Sequence, residues 1–358
     1  MRPEPAPSGS GAVPAGSAGE ATAVAADRAG AAGVVLVTTR SFGAGDADPA
    51  GLLAAAGLRV ARGPVDHDPA ALAQLLGEAV AWIAGTAPVT ARHLDFAPRL
   101  RVVARYGTGV DAVDLQAARA RGIVVTNTPG ANAEAVADYT VALMLAALRH
   151  LVDQDRAARS GRWQAQRGRE LGALTVGLVG FGAVGRGVAR RLAGFGATVL
   201  AHDPYVAPDE LQTAGVQPVP ELAALAARAQ LVSLHLPGGG RPIVDAAFLA
   251  HLPAGAVLVN TARGDLVDEA AVAAALAEGR LGAVAVDVLA SEPAAASPLL
   301  DAPHTILTPH AAGQTVEAID RMGMTAAEEV VRVLGGEAPL HPVAVPPDTK
   351  PEEPGHDR

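Results

Sequence analysis

A chain of 358 residues, half of them apolar and 3% aromatic, is long enough for two domains of ordinary size. Its net charge of −9 and pI near 5.6 give no basic footprint for nucleic acid, and no apolar run reaches the length of a membrane span. There is no cysteine, so disulfides, thiol nucleophiles and cysteine-ligated metals are excluded, and the sole lysine, Lys350, lies in a terminal tail unsuited to a Schiff base or a phosphate loop.

Residues 1–32 are low-complexity Ala, Gly, Pro and Ser without the apolar centre of a signal peptide, and predict a disordered tail on a cytoplasmic protein. Short apolar strands then alternate with Ala- and Leu-rich helices. VVLVTT (34–39), LRVAR (58–62), AWIAG (81–85), RVVARY (101–106) and IVVTNTP (123–129) read as strands, and DLQAARARG (114–122) as a helix between the last two. That alternation predicts a parallel α/β layer. ANAEAVADYTVALMLAALRHLV (131–152) keeps helical spacing of apolar residues over six turns and predicts one long helix. A second α/β series runs from LTVGLVG (174–180) to TPH (308–310). TVEAIDRMGMTAAEEVVRVLGG (315–336) predicts a closing helix before a polar, Pro-rich tail from 345 to 358.

TVGLVGFGAVGRGVARRL (175–192) places Gly180, Gly182 and Gly185 in GxGxxG spacing between a strand and a helix. The first glycine permits the tight turn, the second lets the backbone approach a pyrophosphate, and the third lets the helix pack on the strand. The helix N-terminus then offers free N–H groups to phosphates. Such a motif alone is weak, since glycine turns are common in an Ala/Gly-rich chain. Here the next strand, TVLAHDPY (198–205), ends on Asp203, a carboxylate suited to ribose hydroxyls and repellent to a 2′-phosphate. NAD rather than NADP is the cofactor expected.

Three further runs, AVLVNTA (256–262), GAVAVDVL (282–289) and HTILTP (304–309), are followed by Arg263, Glu292 and His310. The carboxyl ends of parallel strands share one crevice, so these three side chains are expected to converge. A guanidinium, a carboxylate and an imidazole together can move a proton to or from an oxygen of an anionic substrate. Asp265, Glu269 and Asp287 are other acids in the same stretch.

From about residue 80 to 343 the chain resembles the D-isomer-specific 2-hydroxyacid dehydrogenases, the group that includes phosphoglycerate dehydrogenase. The resemblance is carried by RYGTGVDAVDL (105–115), NTPGANAEAVAD (127–138), GLVGFGAVG (177–185), LVNTARGDLVDE (258–269), VDVLASEP (286–293) and LTPHAAG (307–313). It implies two Rossmann-like α/β domains: a doubly wound, parallel-sheet NAD-binding domain (131–314) inserted into a discontinuous flavodoxin-like substrate domain (33–130 and 315–344). It also implies a metal-free hydride transfer between a D-2-hydroxy acid and its 2-keto acid. His310 would be the acid/base, Glu292 its partner and Arg263 the substrate anchor. Tyr106, Gly107, Thr108 and Gly109 would meet the substrate from the other domain, with Thr108 also near the nicotinamide. Ala183 and Val184, within the glycine turn, and Leu236, Thr261, Ala262 and Gly313 would line the cofactor cleft, and Asp287 would orient the carboxamide. A homodimer with the 131–152 helix at its interface is likewise implied.

Two departures stand out. Relatives that use phosphoglycerate carry an additional arginine where this chain has WIAGTAP (82–88), although Arg105 could compensate. LPGGGRPIVDAA (236–247) is about two residues shorter than the usual family loop. An NAD-sensing, corepressor-like binding protein on the same fold, and a non-redox Rossmann enzyme such as a methyltransferase, are the competing expectations. The first is weakened by the three catalytic side chains; NADH binding would separate the second.

Overall fold

The computed structural model describes residues 33–293 and 295–345; of the two tails expected from the sequence, 1–32 and 345–358, all but Val345 lies outside them. Twelve strands fall into two wholly parallel sheets. The first has the order β2-β1-β3-β4-β5 and uses Gly33–Val37 (β1), Leu58–Arg62 (β2), Ala79–Ala84 (β3), Val102–Arg105 (β4) and Val124–Thr126 (β5). The second has the order β12-β11-β10-β9-β6-β7-β8. Its strands are Thr175–Val179 (β6), Thr198–His202 (β7), Gln217–Pro218 (β8), Leu231–Leu234 (β9), Ala256–Asn260 (β10), Leu281–Val286 (β11) and Thr305–Leu307 (β12).

Each sheet has an apolar core on both faces, as parallel sheets covered by helices require. The reason lies in the sequence. AVLVN in β10 is buried at every position, and each Val or Leu so placed contributes about 1.5–3 kcal/mol. Asn260 is the one polar residue of that strand and is wholly buried. The helix Val316–Gly335 packs on the first sheet through Ala318, Met322, Ala326 and Val330, far along the chain from the strands it covers.

The six-turn helix expected over 131–152 is broken. Ala133–Leu148 is helical, His150 takes a left-handed φ of 49°, and Leu151–Arg159 continues at a 60° bend. The physical cause is the end of the core. Val141, Met144, Ala147 and Leu148 pack into the second core, whereas no residue of Leu151–Arg159 is buried. With nothing apolar to follow, the chain turns. Among the described residues no single helix is long and apolar enough to cross a membrane.

In the second sheet the chain leaves β6 in one direction and returns to β9 on its other side. Ligands in open α/β sheets sit outside the carboxyl ends of strands at such a switch point.

Candidate active site

The glycine turn follows β6 at that switch point. Gly180 has φ +94°, and a Cβ there would strike the carbonyl oxygen of His235. A Cβ on Gly185 would meet the Gly180 carbonyl at 2.5 Å, so helix and strand touch through bare backbone. Gly182 faces open space and caps the helix Ala183–Phe195, whose first turn, Ala183 and Val184 included, presents unpaired N–H groups. Leu236 lies against Gly180 on the β9 side. Asp203, just past β7, accepts the Phe181 N–H at 2.8 Å and the Tyr205 N–H at 2.9 Å, which leaves lone pairs for further donors. An open backbone cradle with a carboxylate at its edge fits a dinucleotide.

His235 lies directly beneath this turn. Neither ring nitrogen has solvent access or a hydrogen-bond partner among the described residues, and burial pushes its pKa down to about 4. An unfolded histidine near 6.5 takes up a proton that the folded ring refuses. Stability from the neutral ring is therefore complete above about 6.5 and is lost as pH falls toward about 4. We predict that His235→Leu flattens the fall of melting temperature across that interval; parallel Tm–pH curves for both proteins would refute it.

The second group of residues hangs from β10, β11 and β12, which are adjacent in the sheet. After β10, Asn260 accepts the Ala262 N–H at 3.0 Å and donates to the Arg263 carbonyl at 2.7 Å. This shapes the turn that holds Arg263 outward. Thr261 is buried, its hydroxyl 2.7 Å from that of Thr140, which itself donates to the Val136 carbonyl. Thr261 must then be the donor of the pair.

After β11, Asp287 is almost wholly buried, and its carboxylate accepts the Thr308 hydroxyl at 2.6 Å and the N–H groups of Ala311 and Ala312 at 2.8 and 2.9 Å. The carboxylate therefore builds the turn after β12, a role the sequence did not suggest. His310 sits in that turn with a left-handed φ of 52°, its Nδ1 2.9 Å from Glu292 Oε2. Burial pushes the Glu292 pKa up, but the hydrogen bond and charge of His310, the Leu289 N–H and the charge of Arg263 outweigh it and hold the carboxyl below its ordinary value. Glu292 is thus ionised at neutral pH, so His310 Nδ1 must carry the shared hydrogen and Nε2 faces outward for proton exchange. Glu269, one of the nearby acids, instead accepts the Ala290 N–H and the Ser297 hydroxyl and so braces the loop that carries Glu292.

Across the crevice stands the turn after β4. The Gly107 carbonyl accepts the Thr128 N–H, and the Asn127 amide donates to the Thr108 carbonyl at 2.7 Å. Tyr106 lies otherwise than a substrate contact would suggest: its ring is buried beside Phe42, and its hydroxyl donates to the Ile319 carbonyl at 3.0 Å. Only its main chain faces the turn. Arg263 reaches over to this side. Its Nε donates to Asp111 Oδ2 at 2.8 Å, its Nη1 donates to its neighbour's carbonyl at Ala262, and Nη2 lies against Gly109. Asp111 went unnoticed in the sequence because only the fold brings it to Arg263. Arg105 is buried nearby; burial and the charge of Arg263 pull its pKa down to about 10 despite Asp111. Gly313 lies against Asn132, where the two sheets' connections meet. In the short loop after β9, Gly239 donates its N–H to Asp265 at 2.5 Å, and Gly238 lies over the Arg263 stem.

Residues 141–312 match the D-isomer specific 2-hydroxyacid dehydrogenase, NAD binding domain. The glyoxylate reductase of Korarchaeum cryptofilum is 38% identical over 263 residues, 71% of this chain and 79% of that protein. The chain belongs to the D-isomer-specific 2-hydroxyacid dehydrogenase family. Another relative is the D-3-phosphoglycerate dehydrogenase of Mycobacterium leprae, 42% identical over 253 residues, 70% of this chain and 48% of that enzyme. The chain spans about half the length of the curated phosphoglycerate dehydrogenases it matches. Among solved structures, the TT0316 protein of Thermus thermophilus superposes with a TM-score of 0.77 at 37% identity, covering 87% of this chain and all of that one. The family assignment accounts for the two parallel sheets and for the dinucleotide cradle at the switch point of the second.

Proposed function

We propose that this protein is an NAD-dependent oxidoreductase that interconverts a D-2-hydroxy acid and its 2-keto acid. The observation that carries the proposal is the His310–Glu292 pair at 2.9 Å, set with Arg263 after adjacent strands at the same carboxyl edge of the sheet that carries the glycine turn. Gly180, Gly182, Ala183, Val184 and Gly185 would hold the pyrophosphate, Asp203 the ribose, and Leu236, Thr261, Ala262, Asp287 and Gly313 the rest of the cleft. Held there, the cofactor would supply the hydride acceptor or donor for substrate C2.

The chain's own part is proton handling and positioning. His310 Nε2 takes the proton of the C2 hydroxyl during oxidation and returns it during reduction, while Glu292 balances the charge that the ring gains. Arg263 Nη2 and the main chain of Gly107–Gly109, with Tyr106 behind and Thr108 beside them, grip the carboxylate. Arg105, with no other cation in the 82–88 segment, offers positive charge for a second anionic group on the substrate.

A cytoplasmic homodimer completes the proposal. Its support is the outward surface around Leu151 and Trp163, which are 60% and 91% exposed, rather than the mostly buried helix Ala133–Leu148. The decisive experiment is NADH oxidation against a panel of 2-keto acids, phosphorylated and not, repeated with NADPH. Turnover of at least one acid with NADH preferred is expected; no turnover across the panel, with NADH demonstrably bound, would overturn the enzyme reading.

A further inference from the structure

Among the described residues four that are not glycine take a left-handed φ, and all four are histidines: His67, His150, His304 and His310. His67 is buried and hydrogen-bonded through both ring nitrogens, and His310 belongs to the site above. His150 and His304 stand together, ring centroids 5.9 Å apart and edge to face. His150 makes the break between Ala133–Leu148 and Leu151–Arg159; His304 precedes β12. Asp153, three residues after His150 and so on the same side of the first turn, completes a trio whose ligand atoms all lie within 4.8 Å of one another.

We propose that His150, Asp153 and His304 form a binding site for a divalent transition-metal ion, zinc by preference. The contact made by the His150 ring among the described residues is the edge-to-face one with His304, and His304 Nδ1 is 3.5 Å from Asp153 Oδ2, beyond a good hydrogen bond. That separation is close to the spacing of about 3.3 Å between two ligands of a tetrahedral zinc with bonds of about 2.0–2.1 Å. The other two ligand pairs lie within 4.8 Å and close by side-chain rotation. Two imidazoles and one carboxylate suit zinc, nickel, cobalt or copper and not magnesium or calcium, which favour all-oxygen sets. Ala147, Val152, Ala283 and Ile306 line the recess behind the trio and would keep water from the inner side, leaving a fourth position open to solvent.

The consequence is mechanical. The helix Leu151–Arg159 buries no residue, and β12 is an edge strand whose three residues are only half-buried. A metal would pin one to the other. His304 and His310 are six residues apart at opposite ends of β12, about 20 Å at the rise of an extended chain, so the ion would not enter the reaction. The inference therefore stands or falls separately from the proposed function.

The test is titration of Zn²⁺ into EDTA-treated full-length protein by calorimetry, with Co²⁺ followed by visible absorption. One Zn²⁺ per chain is expected, with a four-coordinate Co²⁺ spectrum and a raised melting temperature. His150→Asn and His304→Asn keep the left-handed turns, which asparagine tolerates, while removing the imidazoles. Each should weaken binding by about 100-fold or more, since loss of outer-shell partners alone costs 10–100-fold. Asp153→Asn, on a helix that buries no residue, should weaken it too with no effect on folding. None of the three should change dehydrogenase turnover. Absence of a site of one ion per chain, or unaltered zinc affinity in Asp153→Asn and the histidine variants, would overturn the proposal.

Discussion

His310→Asn is expected to lower kcat by about 10²–10⁴-fold, the range for removing a general acid–base, while NADH affinity is preserved. Asparagine is chosen because position 310 has a left-handed φ of 52°, which it adopts at little cost. The turn itself is fixed by Asp287, whose carboxylate holds the Thr308 hydroxyl and the Ala311 and Ala312 N–H groups. The variant therefore loses the imidazole and little else. The glycine cradle lies on β6 and β7, away from this turn, so cofactor binding followed by NADH fluorescence should be unmoved. Stopped-flow or steady-state turnover with the acid identified in the panel gives the comparison. Turnover within about tenfold of the parent, equivalent to only about 1.4 kcal/mol of barrier, would remove His310 from the chemistry.

Arg263→Lys should lower kcat/KM by about 10²–10³-fold, as for loss of a preorganised donor at a developing charge. A lysine keeps the charge and loses the fork. Arg263 uses one nitrogen for Asp111, a second for the Ala262 carbonyl and leaves the third at Gly109, three directions fixed by one plane. An ammonium is a single point and cannot serve all three. The expected signature is a lower kcat together with a higher KM, with the pH profile of the His310 step unchanged in shape. If lysine supports near-parental kcat/KM, the guanidinium is holding the two sheets together rather than the substrate.

Ten of the twelve strands were legible to within about three residues at their ends, because most are short apolar runs bounded by Gly, Pro or Asn; β8, only Gln217–Pro218, and β9, Leu231–Leu234, were not read as strands. The convergence of Arg263, Glu292 and His310 could be read for the same reason: each follows such a run, and the runs prove to be neighbours in the sheet. The helix break at His150 was not legible. Apolar spacing persists through Leu151 and Val152, and only the end of the second core, a tertiary fact, decides where the helix stops. The place of the Tyr106 ring was not legible, because its neighbours 107–109 are a turn. Its own side chain answers to Phe42 and Ile319, 64 and 213 positions away. Asn260 gave a usable signal, a lone amide ending an otherwise aliphatic strand. Asp111 gave none, since its partner is 152 residues distant.

The Arg263–Asp111 contact crosses from one sheet's loops to the other's, and this has a bearing on selectivity. Asp111 fixes one edge of the guanidinium through Nε and so holds Nη2 toward Gly109. An anionic guest would meet a cation already oriented by that contact, whereas a neutral aldehyde or ketone brings no charge to answer it. Discrimination against uncharged carbonyl compounds would then come from this fixed guanidinium, before any shape-fitting around the guest's side chain begins.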